Sequence, residues 1–269
     1  MDSNSICYKY YSESDYNFEA LEEKYFFFCK VSKQNDPYDS SFKLMQSENV
    51  LNALKGKINT NAETIMKDYG TCSFTDSKEN KRMWASYANN YNGFCIGFDD
   101  STFQIITKKL AARVPYIKVN YVDAPITLEN DLSSFVVEEL FTDVAHKGES
   151  FYLCAESNDP KKNEDLFLYI CSMKEKKNWD IENETRLVAG SDIMRCRDRL
   201  KKNGVVYEEK GYKIPMPDGC VKEIILGHNM SDENVERMKS IARKHGIDTI
   251  YKTKVEIPFE IGFEAIRVN

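Results

Sequence analysis

The stretch that decides the fold is residues 78–98, which read KENKRMWASYANNYNGFCIGF. Apolar and aromatic residues recur at helical spacing in its first two thirds, which predicts a helix over 78–91. Asn92-Gly93 then provides the left-handed stop that commonly ends a helix. The apolar run 94–98 that follows predicts a buried strand. A helix, a glycine and a strand are therefore expected in direct succession.

The elements predicted around this stretch alternate irregularly. Further helices are predicted over 17–24, 42–55, 61–69, 101–112, 128–146, about 160–176 and 231–245. Further strands are predicted over 25–29, 71–75, 116–122, 179–189, 221–227, 249–257 and 259–268. The chain has no G-x-G-x-x-G and no G-x-x-x-x-G-K-[ST] motif, which argues against a doubly wound sheet. With no repeat, linker or composition shift, we expect a single α+β domain over 1–269, with mixed or antiparallel sheets flanked by helices.

Composition excludes several classes of protein. The 37 basic and 43 acidic residues give a net charge of -6 and a pI near 5.4. This balance argues against a broad nucleic-acid-binding surface or a binder of anionic membranes, although it is compatible with a local basic groove. No segment approaches the roughly 20 apolar residues of a membrane helix, and residues 1–16 lack the pattern of a signal peptide. We expect a cytoplasmic protein with no membrane partner.

Cysteine and histidine patterns give no metal or disulfide signature. The eight cysteines lie far apart with no C-x-x-C pair, so reduced and mostly buried thiols are expected. The three histidines match no zinc-type spacing, and we expect no transition metal.

The segment from Trp179 to Val188 has the densest pattern of ionisable groups. As a strand, its period of two places Glu182, Glu184 and Arg186 on one face. One interpretation is a solvated face on which Arg186 neutralises the two acids. The other is a cleft in which one carboxylate, about 7 Å from its neighbour along the strand, polarises a sugar hydroxyl or activates a nucleophile while the second positions it.

Two further groups of residues are candidates for ligand contact. Trp84 and Tyr87 belong to an aromatic stripe on the helix 78–91, which fits either a core or the border of a cleft. Near the start, Lys9 and Tyr10 precede the turn at Asn35-Asp36. Such a turn can direct backbone N–H groups and an amide at a ligand, and a nearby lysine suits a phosphate.

Four separated motifs resemble the bacterial family catalogued as domain of unknown function 2971. They are Tyr8-Lys9-Tyr10, Asn35-Asp36-Pro37, Met83-Trp84-Ala85-Ser86-Tyr87-Ala88 running to Gly93-Phe94-Cys95-Ile96-Gly97-Phe98, and Trp179-x-x-Glu182-x-Glu184-x-Arg186. They occur in the order of the family across about 180 residues. The family loosely implies a component of an anti-phage defence or toxin-like system.

The order of these motifs is also distantly similar to the ADP-ribosyltransferase fold. That likeness implies an enzyme that consumes NAD as a substrate, with Glu184 holding the nicotinamide-ribose hydroxyl. It implies that Glu182 orients the acceptor, that Lys9 or Arg186 meets the pyrophosphate, and that Tyr10, Trp84 or Tyr87 stacks on a base. The acceptor would be a protein or a nucleic acid. The chain departs from both main patterns of that superfamily, since it lacks the Ser-Thr-Ser strand and a matching histidine.

Two alternatives remain open at this point. A metal-dependent nuclease would use Asp180 and Glu182 as Mg²⁺ ligands, with Arg186 in place of the usual lysine. A non-catalytic module would recognise a nucleotide or a protein partner. The oligomeric state cannot be read from the sequence.

Overall fold

The computed structural model describes residues 6–34, 69–122, 168, 171–256 and 260–268. By its internal contacts the chain forms two compact units. The first unit comprises Met1–Phe26, Ser73–Ile106 and Pro215–Asn269, and the second comprises Phe27–Cys72 and Thr107–Ile214. The expectation of one domain over 1–269 stays a prediction.

Strands dominate the described residues. They are β1 Ile6–Tyr11, β2 Tyr25–Lys30, β3 Gly70–Thr75, β4 Phe94–Asp99, β5 Tyr116–Lys118, β6 Asn120–Val122, β7 Met173–Glu175, β8 Glu184–Ala189, β9 Val206–Tyr207, β10 Gly211–Pro215, β11 Val221–Leu226, β12 Thr249–Glu256 and β13 Glu260–Arg267. The helices are α1 Asp15–Glu22, α2 Lys81–Ser86, α3 Phe103–Leu110, α4 Lys176–Trp179, α5 Ser191–Arg195, α6 Arg197–Lys202 and α7 Asp232–Lys244. Among the described residues, none of the helices is both long and apolar enough to cross a membrane.

A mixed sheet organises the first unit. Its strands follow the order β13-β12-β11-β4-β1, and β4 pairs antiparallel with β1 on one side and with β11 on the other. β11 and β12 are parallel, because the helix α7 connects them and returns the chain to the same end of the sheet. The combination of antiparallel and parallel pairs confirms the predicted α+β class.

Aromatic residues fill the core of the first unit. Phe26, Phe74, Phe98 and Phe103 are all buried. The ring of Phe26 meets the other three edge to face, with centroids 5.1 to 5.6 Å apart. This is the geometry that the quadrupoles of aromatic rings favour, so the contacts contribute beyond the area they bury.

Short strand pairs build the second unit. β5 pairs antiparallel with β8, β6 pairs parallel with β7, and β9 pairs antiparallel with β10. The two segments that lead into the candidate site, β7 and β8, are separated by α4 and a 3-10 turn over Asp180–Glu182. This chain reversal brings residues that are eight and ten positions apart into contact.

The predicted helix over 78–91 is wrong at both ends. The helix α2 covers Lys81–Ser86, and the side chain of Asn80 caps it by accepting from the N–H groups of Arg82 and Met83. Asn89, Asn90 and Tyr91 have φ angles of 44°, 51° and 65°. A helix cannot continue through left-handed residues, so the helical stretch ends well before Asn92-Gly93.

Other predicted boundaries also shift. The predicted strand 179–189 begins only at Glu184, and the predicted helix over about 160–176 ends in the strand Met173–Glu175. The predicted helix that starts at Ser231 is confirmed as α7, with the Ser231 hydroxyl accepting from the N–H of Asn234. The predicted helices 42–55 and 128–146 lie outside the described residues, as does the predicted helix 61–69 apart from its last residue.

Candidate functional site

A cluster of four buried ionic side chains lies in the second unit. Its members are Lys174, Glu182, Glu184 and Arg186, whose side chains are 1 to 7% exposed. We call these four residues the buried charge cluster. Two acids and two bases make it neutral overall, which is the condition under which charges are tolerated away from water.

Backbone geometry explains how both acids reach the cluster. Glu184 and Arg186 lie on one face of β8, as the period of two predicts. Glu182 arrives by a different route, since it ends the 3-10 turn and is followed by Asn183 in the left-handed conformation with a φ of 42°. An asparagine tolerates this conformation better than most residues, so the turn redirects the chain between the two acids.

The ammonium of Lys174 bridges the two carboxylates. Its Nζ lies 2.7 Å from Glu182 Oε2 and 3.2 Å from Glu184 Oε2. Because one nitrogen contacts both oxygens at 2.7 and 3.2 Å, these two oxygens lie within about 6 Å of each other. The same nitrogen lies 4.3 Å from the centroid of the Trp179 ring, within the range of a cation–π contact.

Arg186 holds Glu184 from the other side. Its Nε donates to Glu184 Oε1 at 2.6 Å and its terminal nitrogen donates to Glu184 Oε2 at 2.9 Å. A second terminal nitrogen donates to the carbonyl of Cys171 at 2.8 Å. This two-pronged contact fixes the plane of the carboxylate and favours its ionised form.

A tyrosine completes the surroundings of Glu184. The hydroxyl of Tyr121 accepts a hydrogen bond from the backbone N–H of Glu184 at 2.8 Å. Burial raises the pKa of Tyr121 above its ordinary value, and the neighbouring carboxylates act in the same direction. Tyr121 therefore stays a neutral phenol across the physiological pH range.

The structure settles part of the sequence interpretation of these residues. Glu182, Glu184 and Arg186 do lie together, as predicted. The alternative of a solvated face is wrong, because all three are buried. Lys174 begins a run of charged residues over 174–177, and such runs are usually solvated, yet Lys174 is 5% exposed. Its neighbours Lys176 and Lys177 are exposed as expected.

Four of the other predicted ligand-contact residues, Lys9, Tyr10, Trp84 and Tyr87, belong to the first unit. Lys9 donates to the carbonyl of Ser73 at 3.0 Å, and Tyr10 packs edge to face on Trp84 at 5.2 Å. Trp84 is fully buried, whereas Tyr87 is 38% exposed. Asn35 and Asp36 lie outside the described residues. A ligand role for any of these six residues stays a prediction.

Sequence reasoning missed Lys174 and Trp179 as members of the site. In the sequence Trp179 is only the first residue of a motif, although its ring contacts the ammonium of Lys174. Lys174 carries no local signal, because its partners lie eight and ten residues further on. Only the reversal of the chain between β7 and β8 brings them together.

Among the residues that the structure describes, no group of three or more His, Cys, Asp and Glu side chains is arranged to hold a metal ion. Asp180 is exposed, while Glu182 is buried against Lys174. The nuclease alternative therefore lacks a candidate ligand set in this part of the chain.

The fold and the site define an α+β protein whose second unit encloses a neutral cluster of two acids and two bases. The family model described as "Protein of unknown function (DUF2971)" matches residues 83–187. The resemblance to that family is thereby confirmed over a range that includes Trp84 and the motif from Glu182 to Arg186. The family carries no assigned activity, and the likeness to ADP-ribosyltransferases stays a prediction. No curated protein and no solved structure matches the chain.

Proposed function

We propose that the chain is an NAD-consuming enzyme of the ADP-ribosyltransferase type and that the buried charge cluster is its reaction centre. One observation carries the proposal: a single positive charge is held by two carboxylates and the face of an indole. Such surroundings stabilise a positive charge. The cleavage of NAD⁺ at its nicotinamide-ribose bond passes through a transition state in which the ribose carries positive charge.

The chemistry needs a carboxylate fixed beside the sugar. When the C–N bond breaks, its electron pair goes to the nicotinamide nitrogen, and positive charge develops on the ribose. Glu184, held ionised by Arg186, would stabilise that charge electrostatically. The acceptor nucleophile then forms the new bond to the ribose carbon, and Glu182 would take the proton that the acceptor loses.

The spacing of the two acids supports this division of roles. Pairs of carboxylates about 5 to 10 Å apart are the usual arrangement at glycosidic bonds, where one stabilises or attacks the sugar and the other transfers a proton. The Glu182 and Glu184 oxygens that share Lys174 lie within about 6 Å, given their contacts of 2.7 and 3.2 Å. This upper limit is compatible with the closer part of that range.

Lys174 occupies the position that the cationic substrate would take. Its ammonium already has the two acidic partners and the Trp179 face, so a positively charged nicotinamide riboside would replace one cation by another. The four-carbon stem of a lysine has the freedom to withdraw. In this proposal the described arrangement is the substrate-free one, and Lys174 keeps the acids neutralised until NAD⁺ arrives.

The biological setting follows from the reaction. The reaction would lower the concentration of NAD⁺ in the cytoplasm, and the acceptor of the ADP-ribose would be a protein or a nucleic acid. An effector of anti-phage defence or a toxin is the setting that the family resemblance suggests.

A second candidate is a non-catalytic module that binds a nucleotide or a protein partner. It is favoured by one observation: both oxygens of Glu184 already accept hydrogen bonds from Arg186, and one also contacts Lys174. A carboxylate with this many internal partners fits a structural ion-pair network as well as a reacting group.

Release of nicotinamide from NAD⁺ distinguishes the two candidates. We expect turnover by the wild-type chain, tested with and without cell extract as a source of acceptor, and a loss of at least about 100-fold in Glu184→Gln, the scale of removing one electrostatic stabiliser. Glu236→Gln, at an exposed carboxylate of the first unit, is the matched control and should keep the wild-type rate. Thermal unfolding verifies that each variant is folded. Absence of turnover in the wild type under all conditions would favour the binding module.

A further inference from the structure

A second lysine ammonium lies among aromatic rings, in the first unit. Lys78 Nζ lies 5.2 Å from the centroid of the Phe263 ring and 5.9 Å from those of Tyr8 and Tyr251. Both carboxylate oxygens of Glu223 lie 3.1 Å from the same nitrogen. We call the four surrounding residues, Tyr8, Glu223, Tyr251 and Phe263, the aromatic cage.

The sheet brings two walls of the cage together through a glycine. Tyr8 of β1 and Glu223 of β11 both pair with Gly97 of β4, which lies between them. A Cβ at position 97 would lie 2.7 Å from Glu223 Cγ and 3.1 Å from Tyr8 Cε1. The missing side chain is therefore what lets the two residues approach. The pairing of β11 with β4 shifts by one residue just before Glu223, which re-aims this carboxylate.

Tyr8 orients the carboxylate without neutralising it. Its hydroxyl donates to Glu223 Oε1 at 2.7 Å. Burial, and then the hydrogen bond and charge of Glu223, raise the pKa of Tyr8 above its ordinary value. The phenol therefore keeps its proton at neutral pH and continues to donate to the Glu223 carboxylate.

The occupant of the cage is less firmly held than its walls. Each wall residue belongs to a strand, whereas Lys78 lies between β3 and α2, outside both elements. The side chain of Lys78 is 30% exposed, and that of Glu223 is 14% exposed. When Lys78 withdraws into water, the walls keep their positions, because the pairing of the strands does not involve it. The cage is in this sense a pre-formed site.

The chemistry of the walls favours a particular kind of cation. A primary ammonium gains most from hydrogen-bond acceptors, and the cage offers it the two oxygens of a single carboxylate. Ring faces attract a cation through their quadrupole without a hydrogen bond, so they suit an ammonium whose hydrogens are replaced by methyl groups. Three ring faces and one carboxylate match a compact, weakly hydrated positive charge.

We propose that the aromatic cage is a binding site for a methylated ammonium group, with Lys78 as an internal competitor. Two sources present this chemistry: a small quaternary amine and a methylated lysine side chain. The proposal is independent of the reaction at the buried charge cluster, since it uses only residues of the first unit.

The test is a calorimetric titration of the full chain with choline at constant ionic strength. The matched neutral ligand is 3,3-dimethylbutanol, which has the same shape without the charge. We expect the wild type to bind choline and not the alcohol, Lys78→Ala to bind choline at least tenfold tighter, and Glu223→Gln and Tyr251→Leu to bind it at least tenfold more weakly. Thermal unfolding in the absence of ligand identifies any variant that has lost its fold.

The same titration with Nε-trimethyl-lysine amide assigns the source. Tighter binding than choline assigns the cage to a methylated lysine of a partner protein, and weaker binding assigns it to a small quaternary amine. The proposal is overturned if the wild type binds no choline, if the alcohol binds equally well, or if Lys78→Ala leaves the affinity unchanged. Tyr251→Leu and Glu223→Gln are separate variants, so if one of them misfolds, the other still tests whether the cage binds choline.

Discussion

Two lysines of this protein lie among the same kinds of chemical groups, yet in different dielectric surroundings. Lys174 lies between two carboxylates and one indole face, with its side chain 6% exposed. Lys78 lies between one carboxylate and three aromatic rings, with its side chain 30% exposed. The first ammonium is balanced by a complete set of buried charges, and the second keeps access to water.

The comparison shows how burial decides the number of charges at a site. Removing a charge from water is expensive, so the buried site needs Arg186 as a second cation to balance its second acid. At the half-exposed site, solvent stabilises whichever charge lacks a partner, so one acid and one base suffice. We therefore expect substitutions at the two sites to differ in size and in their response to salt.

The largest effect is expected at Arg186, the least exposed member of the buried charge cluster. Arg186→Met leaves Glu182 and Glu184 buried with only Lys174, so the free energy of unfolding should fall by about 3–5 kcal/mol. Urea unfolding followed by circular dichroism measures it. Arg195→Met, at an exposed arginine of α5, is the control and should change stability by about 1 kcal/mol or less. Equal effects of the two substitutions would contradict the comparison.

The direct comparison is between Lys174→Met and Lys78→Met. We expect Lys174→Met to lower the free energy of unfolding by about 3 kcal/mol, because it leaves an excess buried negative charge. Lys78→Met should lower it by about 1 kcal/mol or less, because Glu223 is partly hydrated and keeps its hydrogen bond from Tyr8. The same denaturation assay serves both. A larger effect at Lys78 would reverse the assignment of the buried and the half-exposed site.

Alkaline pH should affect both sites in the same way, because a tyrosine with a raised pKa belongs to each. Tyr121 and Tyr8 have pKa values raised above the ordinary 10.0. The unfolded chain then loses these protons first, so stability is fully present below pH 10 and falls as the pH rises above it, by up to about 1.4 kcal/mol per pH unit for each tyrosine. Tyr121→Phe and Tyr8→Phe should each flatten this fall between pH 10 and 11, measured by urea unfolding. An unchanged slope would show that the phenol is not protected.

The response to salt should also distinguish the two sites, and this is the smallest of the expected effects. A double-mutant cycle between Lys78 and Glu223 should give a coupling of about 0.5–1 kcal/mol at low salt, and 1 M NaCl should reduce it by about half. The cycle between Lys174 and Glu182 should give the same coupling at both salt concentrations, since ions do not reach a contact whose side chains are 6 and 7% exposed. Equal screening of the two pairs would mean that the contact between Lys174 and Glu182 is open to solvent.

The sequence predicts only those members of the buried charge cluster whose placement depends on local backbone geometry. Glu184 and Arg186 were placed on one face because both lie on β8, where the period of two holds. Glu182 reaches the same place although it lies in a 3-10 turn. Lys174 could not be predicted, because a lysine in a basic run is usually solvated and its burial here depends on the packing of distant segments.

In the first unit the sequence predicts the elements better than their ends. The helix α7 and the last two strands begin and end close to their predicted bounds. The early end of α2 could not be predicted, because the left-handed residues after it are held from far along the chain. The side chain of Asn229 donates to the carbonyl of Asn90 at 2.9 Å. The backbone N–H of Asn229 donates to the carbonyl of Tyr91 at 3.0 Å.

The most direct test of the central claim compares two ligands that differ in charge. Carbocyclic NAD⁺ keeps the positive pyridinium but lacks the labile glycosidic bond, and its reduced form has a neutral ring. If Glu182 and Glu184 form a cage for a cation, the wild type should bind the oxidised form at least about tenfold tighter, equivalent to 1.4 kcal/mol, and Glu182→Gln should reduce this preference. Equal affinity for the two forms, or no binding of either, would contradict the account.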